Sequence, residues 1–117
     1  MKKIILLFVV VLSAFCAVSC KKDNKTTVGI LLTATHSALN DAKDGFIEAL
    51  KANGYEDAEF VVRNPEGDAT TMNSMATELV RKSDIVLGVC TPSAVSLLSA
   101  RYSEEIDITV LFTAVTD

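Results

Sequence analysis

Four apolar runs separated by three amphipathic stretches organise this chain. Residues 27–32 form a β-rich run, 58–63 carry Phe60-Val61-Val62, Ile85 to Val89 show no polar alternation, and 106–112 close the series. Short apolar runs of this kind predict strands covered on both faces, as in a parallel sheet. Leu39, Ala42, Phe46, Ala49 and Leu50 recur at three- and four-residue steps opposite Asp41, Asp44, Glu48 and Lys51. That spacing predicts an amphipathic helix starting near Ser37 and closed by Asn53-Gly54. Met72, Met75, Ala76, Leu79 and Val80 make a second helical stripe with Asp68 as its N-cap, and Ala94, Val95, Leu97, Leu98 and Arg101 a third. The methionines read as core filler rather than as ligands. Gly45, inside the first helix, costs about 1 kcal/mol against Ala, which suggests a close approach of helix to sheet.

Strand and helix alternate with short connections, and right-handed crossovers turn that order into an α/β fold: a three-layer, doubly wound parallel sheet with strand order 2-1-3-4. The third strand and the turn after it, residues 84–93, are the centre of this arrangement. The sequence there reads as strand, sharp turn and helix start, with Thr91 as a hydroxyl N-cap and Pro92 as the first helical residue. Ligands of open parallel sheets lie beyond the carboxyl ends of the strands, where helix N-termini present free N–H groups. There the loops 33–37 and 90–93 should face each other across a crevice, with 113–117 beside them.

Half of the 117 residues are hydrophobic, high for a small domain, and the excess is local. Lys2 and Lys3 precede an apolar stretch, 4–18, too short to span a bilayer comfortably and followed by polar residues. Residues 1–19 therefore read as a signal peptide. Removing them leaves nine basic against fifteen acidic residues, a net charge of −6, which argues against nucleic acid as a partner. Cys20 follows Ala17-Val18-Ser19 and has two readings. Small residues before a cysteine resemble the bacterial lipoprotein box, in which that cysteine is lipidated, and this is the preferred reading; Ala-x-Ser also suits ordinary signal peptidase. The polar run 20–26 is the tether an anchored protein needs, leaving 27–117 as one domain.

The motifs of most cofactor chemistries are missing. No Gly-x-Gly-x-x-Gly and no Walker loop follows a strand, so no dinucleotide, nucleoside triphosphate or other cofactor is expected. His36 is the sole histidine, too little for a zinc site or a nucleophile-base couple; it reads as a loop or helix-end group that can also meet a ligand. Cys90, at a strand end before a helix, is where two-cysteine amino-acid racemases carry a thiol, but the only other cysteine after the leader is Cys20. Binding without reaction fits better. Thr91, Ser93, Thr113 and Thr116 offer neutral hydrogen-bonding groups, the helix start offers N–H groups to a carboxylate, and Asp117 can take an ammonium. Those opposite ends suit a zwitterionic amino acid, although each residue also has an ordinary role as a cap or turn former.

The run from His36-Ser37-Ala38-Leu39-Asn40 through Asp44-Gly45-Phe46 to Ala49-Leu50 and Gly54-Tyr55, then 64–68, Thr91-Pro92-Ser93-Ala94 and Phe112-Thr113-Ala114-Val115-Thr116-Asp117, resembles the ABC-transporter substrate-binding proteins of the type I periplasmic-binding fold. The nearest branch is the one associated with tryptophan or tyrosine uptake. That resemblance implies an exported, lipid-anchored receptor on the outer face of the cell membrane, working with a permease and an ATPase and catalysing no reaction. It places ligand contacts at Thr35, His36, Thr91, Ser93, Thr116 and Asp117. Members of the family continue after the Thr-Asp pair into a second lobe, so the chain resembles a partial N-terminal lobe. A lone lobe is expected to expose sheet edge and to bind weakly.

Overall fold

The computed structural model describes residues 25–116. The leader, Cys20, most of the tether and Asp117 lie outside the described residues. Seven elements alternate: β1 (Thr27–Leu31), α1 (Ser37–Ala52), β2 (Glu59–Arg63), α2 (Ala69–Lys82), β3 (Ile85–Val89), α3 (Thr91–Ser103) and β4 (Thr109–Thr113). The four strands are parallel in the order β2-β1-β3-β4, as the crossover argument requires. β3 is thus an interior strand, consistent with its unbroken apolar run.

The two-residue side-chain period of a strand divides the core into two layers. Val28, Ile30, Leu32, Leu87 and Val89 point to one face, where Leu39, Phe46, Ile47 and Leu50 of α1 pack on them. Leu31, Val86 and Val110 point to the other, against Met72, Ala76, Leu79 and Val80 of α2 and Leu97 and Ala100 of α3. Because α1 covers its face alone, none of its residues is fully buried. β2 and β4 form the two sheet edges, and Leu111 and Phe112 of β4 are exposed.

The helix ends follow their local chemistry. His36 caps α1 by accepting the Ala38 N–H on Nδ1 at 3.3 Å, and Gly54, at φ +98°, lets the chain turn away after Asn53. Asp68 caps α2, its Oδ1 accepting the Thr71 N–H at 2.7 Å.

Three expectations change. The fourth strand begins at Thr109 rather than at 106. Glu105, at φ +52°, turns the chain after α3, and Ile106 and Ile108 are apolar because they plug the core below the strand, not because they pair in it. Gly45 lies on the exposed side of α1, where a Cβ would meet nothing within 4 Å, so close packing does not explain it. The glycine under real steric demand is Gly88. A Cβ there would lie 2.6 Å from Ala94 Cα and 2.7 Å from Ala94 N, because α3 turns back directly onto β3. Finally, Thr91 is not the N-cap of α3. Cys90 holds that position at φ 85°, ψ 159°, and makes no side-chain cap.

Candidate ligand-binding cleft

Parallel register brings the carboxyl ends of β1, β3 and β4 to one edge of the molecule, and the site residues follow from that edge. The chain leaves β3 through Cys90, whose N–H donates to Thr113 O at 2.9 Å and whose carbonyl accepts the Ala94 N–H at 3.1 Å. The corner therefore ties β4 to the first turn of α3. Thr91 then presents its hydroxyl outward to the 114–116 loop. Its Oγ1 donates to Thr116 O at 3.3 Å and accepts from Thr116 N at 3.2 Å. α1 and α2 each begin with a side chain occupying an N–H; α3 alone does not. The positive end of its dipole is therefore left without a side-chain cap; Pro92 has no N–H and Ser93 is buried, so Thr91 carries the first-turn N–H nearest the surface.

Ser93, two residues further into α3 than Thr91, is fully buried. Its Oγ lies 2.7 Å from Thr33 Oγ1, and Thr33 Oγ1 also donates to Val89 O at 3.3 Å. The serine thus joins the exit of β1 to the start of α3 from beneath the cleft surface.

Thr35 and His36 lie in the loop that leads from β1 into α1. The Thr35 N–H donates to Glu66 Oε2 at 3.2 Å, its hydroxyl donates to Glu66 Oε1, and Asn64 Nδ2 donates both to Thr35 Oγ1 at 3.0 Å and to Glu66 Oε1 at 2.6 Å. These bonds brace the loop after β1 on the loop after β2. They also hold the Glu66 carboxyl below its ordinary range, with the Thr35 hydroxyl as the main cause. Glu66 adopts φ +49° to reach them. His36 is exposed and turns its Nδ1 inward to cap α1.

Between the N-terminal turns of α2 and α3 runs a groove of about 420 Å³ opening at the same edge. Ala69, Met72, Pro92 and Val95 give it apolar walls, and Thr33, Thr91, Asn73 and Ser96 its polar points. Ser96 Oγ donates to Asn73 Oδ1 at 3.1 Å across it.

The structure therefore gathers Thr35, His36, Thr91, Ser93 and Thr116 at one end of the sheet, with Ser93 below the surface. Thr33 falls in the loop expected to line the crevice, whereas Glu66, Asn73 and Ser96 are not site candidates from the sequence. Glu66 lies in the Asn64-Pro65-Glu66-Gly67 turn beside a strand end, which is the one local signal, and Asn73 and Ser96 fall outside the apolar stripes of their helices. Among the described residues no cluster of three metal-ligating side chains occurs, and no helix is long and apolar enough to cross a membrane.

Comparison with known proteins bears on the family and the fold. Residues 27–117 match the family model described as ABC transporter substrate binding protein. A tyrosine-binding protein of Clostridioides difficile is 37% identical over 103 residues, which cover 83% of this chain and 29% of the relative. The ligand-free, open form of a Clostridium difficile substrate-binding protein with adhesive properties superposes with a TM-score of 0.71 at 32% identity, covering 79% of this chain and 31% of that one. An ABC domain from Streptococcus pneumonia in complex with L-Trp gives 0.72 at 30% identity, over 80% and 32% of the two chains. The chain spans less than a third of the length of the relatives it matches. By its sequence match over 27–117 and its fold, the chain belongs to the ABC transporter substrate-binding protein family.

Proposed function

We propose that this chain is the N-terminal ligand-binding lobe of an extracytoplasmic receptor that captures an amino acid with an aromatic side chain for an ABC importer. The carrying observation is the uncapped start of α3, set beside Thr91 and Thr116 at the carboxyl edge of the sheet. Free N–H groups at a helix N-terminus favour a carboxylate, and neutral hydroxyls beside it orient a small polar ligand without reacting with it. The preference for an aromatic amino acid rests on the relatives named for tyrosine and found with L-Trp. In this reading Thr91 and Thr116 contact the ligand, Thr35 and His36 shape the facing wall, Ser93 supports the floor, and Asp117 supplies a carboxylate for the ammonium. No catalytic step is assigned to Cys90.

The same proposal extends to the remaining parts of the sequence. Residues 1–19 act as a signal peptide, Cys20 carries the lipid anchor, 20–26 are the tether, and a permease and its ATPase are the partners that complete transport. Mass spectrometry of the mature N-terminus would read a lipid-modified Cys20 directly. For the ligand, the test is a calorimetric or thermal-shift panel of amino acids, sugars and short peptides. Tyrosine or tryptophan should give the largest response. Exclusive binding of sugars or peptides would remove the proposal.

A further inference from the structure

The groove between α2 and α3 has a feature that the zwitterion-binding edge does not need: an apolar trough with a hydrogen-bonded polar pair at its far end along α3. Its floor is Met72, only 5% exposed, and its lip is Val95, which leaves 56% of its surface open to solvent. Ala69 and Pro92 complete the apolar lining. An apolar side chain open to solvent at the lip of a concave apolar surface gains from any ring that covers it.

Thr91 stands at the outer end of the groove and Ser96 five residues further along α3, about 7.5 Å at the helical rise. That separation is comparable to the reach of a six-membered ring carried on one methylene. At that far, exposed end Ser96 Oγ donates to Asn73 Oδ1, while Asn73 Nδ2 makes no hydrogen bond to the described residues. The pair therefore offers an N–H donor and a hydroxyl acceptor side by side, which match a phenolic group as acceptor and donor.

We infer that the α2–α3 groove is the side-chain subsite of the bound amino acid: it takes the ring against Met72 and Val95, and Asn73 with Ser96 reads a hydroxyl at the ring's tip. The inference rests on the amino-acid reading proposed above and adds which surface selects the side chain. A neutral hydrogen bond at such a half-open position corresponds to about fivefold in affinity.

Selective labelling of methionine methyl groups tests it on the full chain, because the three methionines are Met1, Met72 and Met75, and Met75 packs on the core outside the groove. With amide resonances followed in the same samples, the chain is titrated with L-tyrosine, L-phenylalanine and L-alanine to millimolar concentration. Tyrosine and phenylalanine should move the Met72 methyl and leave Met75 in place, alanine should move only Thr91 and Thr116, and tyrosine should bind about fivefold tighter than phenylalanine. Asn73→Ala, on an exposed helix face, should erase that difference. Val95→Asp, also at an exposed position, should weaken both aromatic ligands and spare alanine. Shifts at Thr91 and Thr116 with Met72 unmoved, or Met72 moved equally by alanine, would overturn the subsite and leave the amino-acid reading standing. Equal binding of tyrosine and phenylalanine would overturn the role of Asn73. No response to any amino acid would overturn both.

Discussion

Thr33 and Ser93, sixty residues apart in sequence, hold their hydroxyls 2.7 Å from each other at the foot of the cleft. The pair joins the end of β1 to the first turn of α3, so that the two strand exits meet at a fixed separation. Ser93→Ala should destabilise the chain by about 1–2 kcal/mol, since it strips a partner from the Thr33 hydroxyl and leaves only the longer bond to Val89 O. In a double-mutant cycle with Thr33→Val, measured by urea unfolding, the double mutant should lose less than the sum of the two single losses, with a coupling of about 1 kcal/mol. Full additivity would mean that the contact carries no stability.

Two glycines should respond in opposite directions to the same change. Gly88→Ala forces a Cβ against the Ala94 backbone, which cannot swing aside as a flexible side chain could; a loss of more than about 2 kcal/mol is expected. Gly45→Ala meets open space inside a helix and should gain up to about 1 kcal/mol. Thermal unfolding of the two variants side by side checks both signs.

Cys90 occupies a backbone region that side chains avoid, at φ 85° and ψ 159°. Such a residue stores about 1–3 kcal/mol of strain. Cys90→Gly should therefore raise the melting temperature by several degrees despite the loss of a half-buried side chain, and it should leave ligand affinity unchanged. A variant that melts lower would show that the packing of the thiol outweighs the strain.

Acid should weaken the fold through three carboxylates. Glu78 is held below its ordinary value by its hydrogen bond from Arg63 and then by that from Lys82, Asp68 by Thr71, and Glu66 by Thr35. Each binds a proton less readily folded than unfolded. Their contributions are thus complete above the ordinary values of 4.5 for Glu and 3.8 for Asp, and are lost as pH falls through the depressed folded values. The Arg63–Glu78 contact bridges β2 and α2 at 3.0 Å, so Glu78→Gln should lower the melting temperature at neutral pH and flatten its acid limb. An unchanged acid limb in that variant would rule out the ion pair as a source of the pH dependence.

Most of the fold was legible because it rests on one-dimensional signals. The unbroken run at Ile85 to Val89, the stripes of the two long amphipathic helices and the Asp68 and Asn53-Gly54 punctuation each fix an element locally, and crossover handedness then leaves strand order 2-1-3-4. Ile106 and Ile108 misled because an apolar residue plugging a core and one pairing in a strand read alike. The cleft was legible in its location but less so in its roles. Thr91 carries the composition of a cap, yet the corner at Cys90 takes the cap position and frees the Thr91 hydroxyl for Thr116. The Glu66 brace and the Asn73–Ser96 pair depend on which loops and helix faces become neighbours, information that no local pattern contains.

The contact between Gly88 and α3 has a mechanical consequence. With a helix seated directly on its strand and its first turn bonded to the next strand through Cys90, that side of the cleft can only move as one stiff jaw. The opposite side leans on Thr35, Asn64 and Glu66, side chains that can release and re-form one bond at a time. In the proposed receptor, adjustment to ligands of different bulk would be concentrated in the compliant jaw beyond Thr33, and amide exchange should be faster at 34–36 than at 88–94.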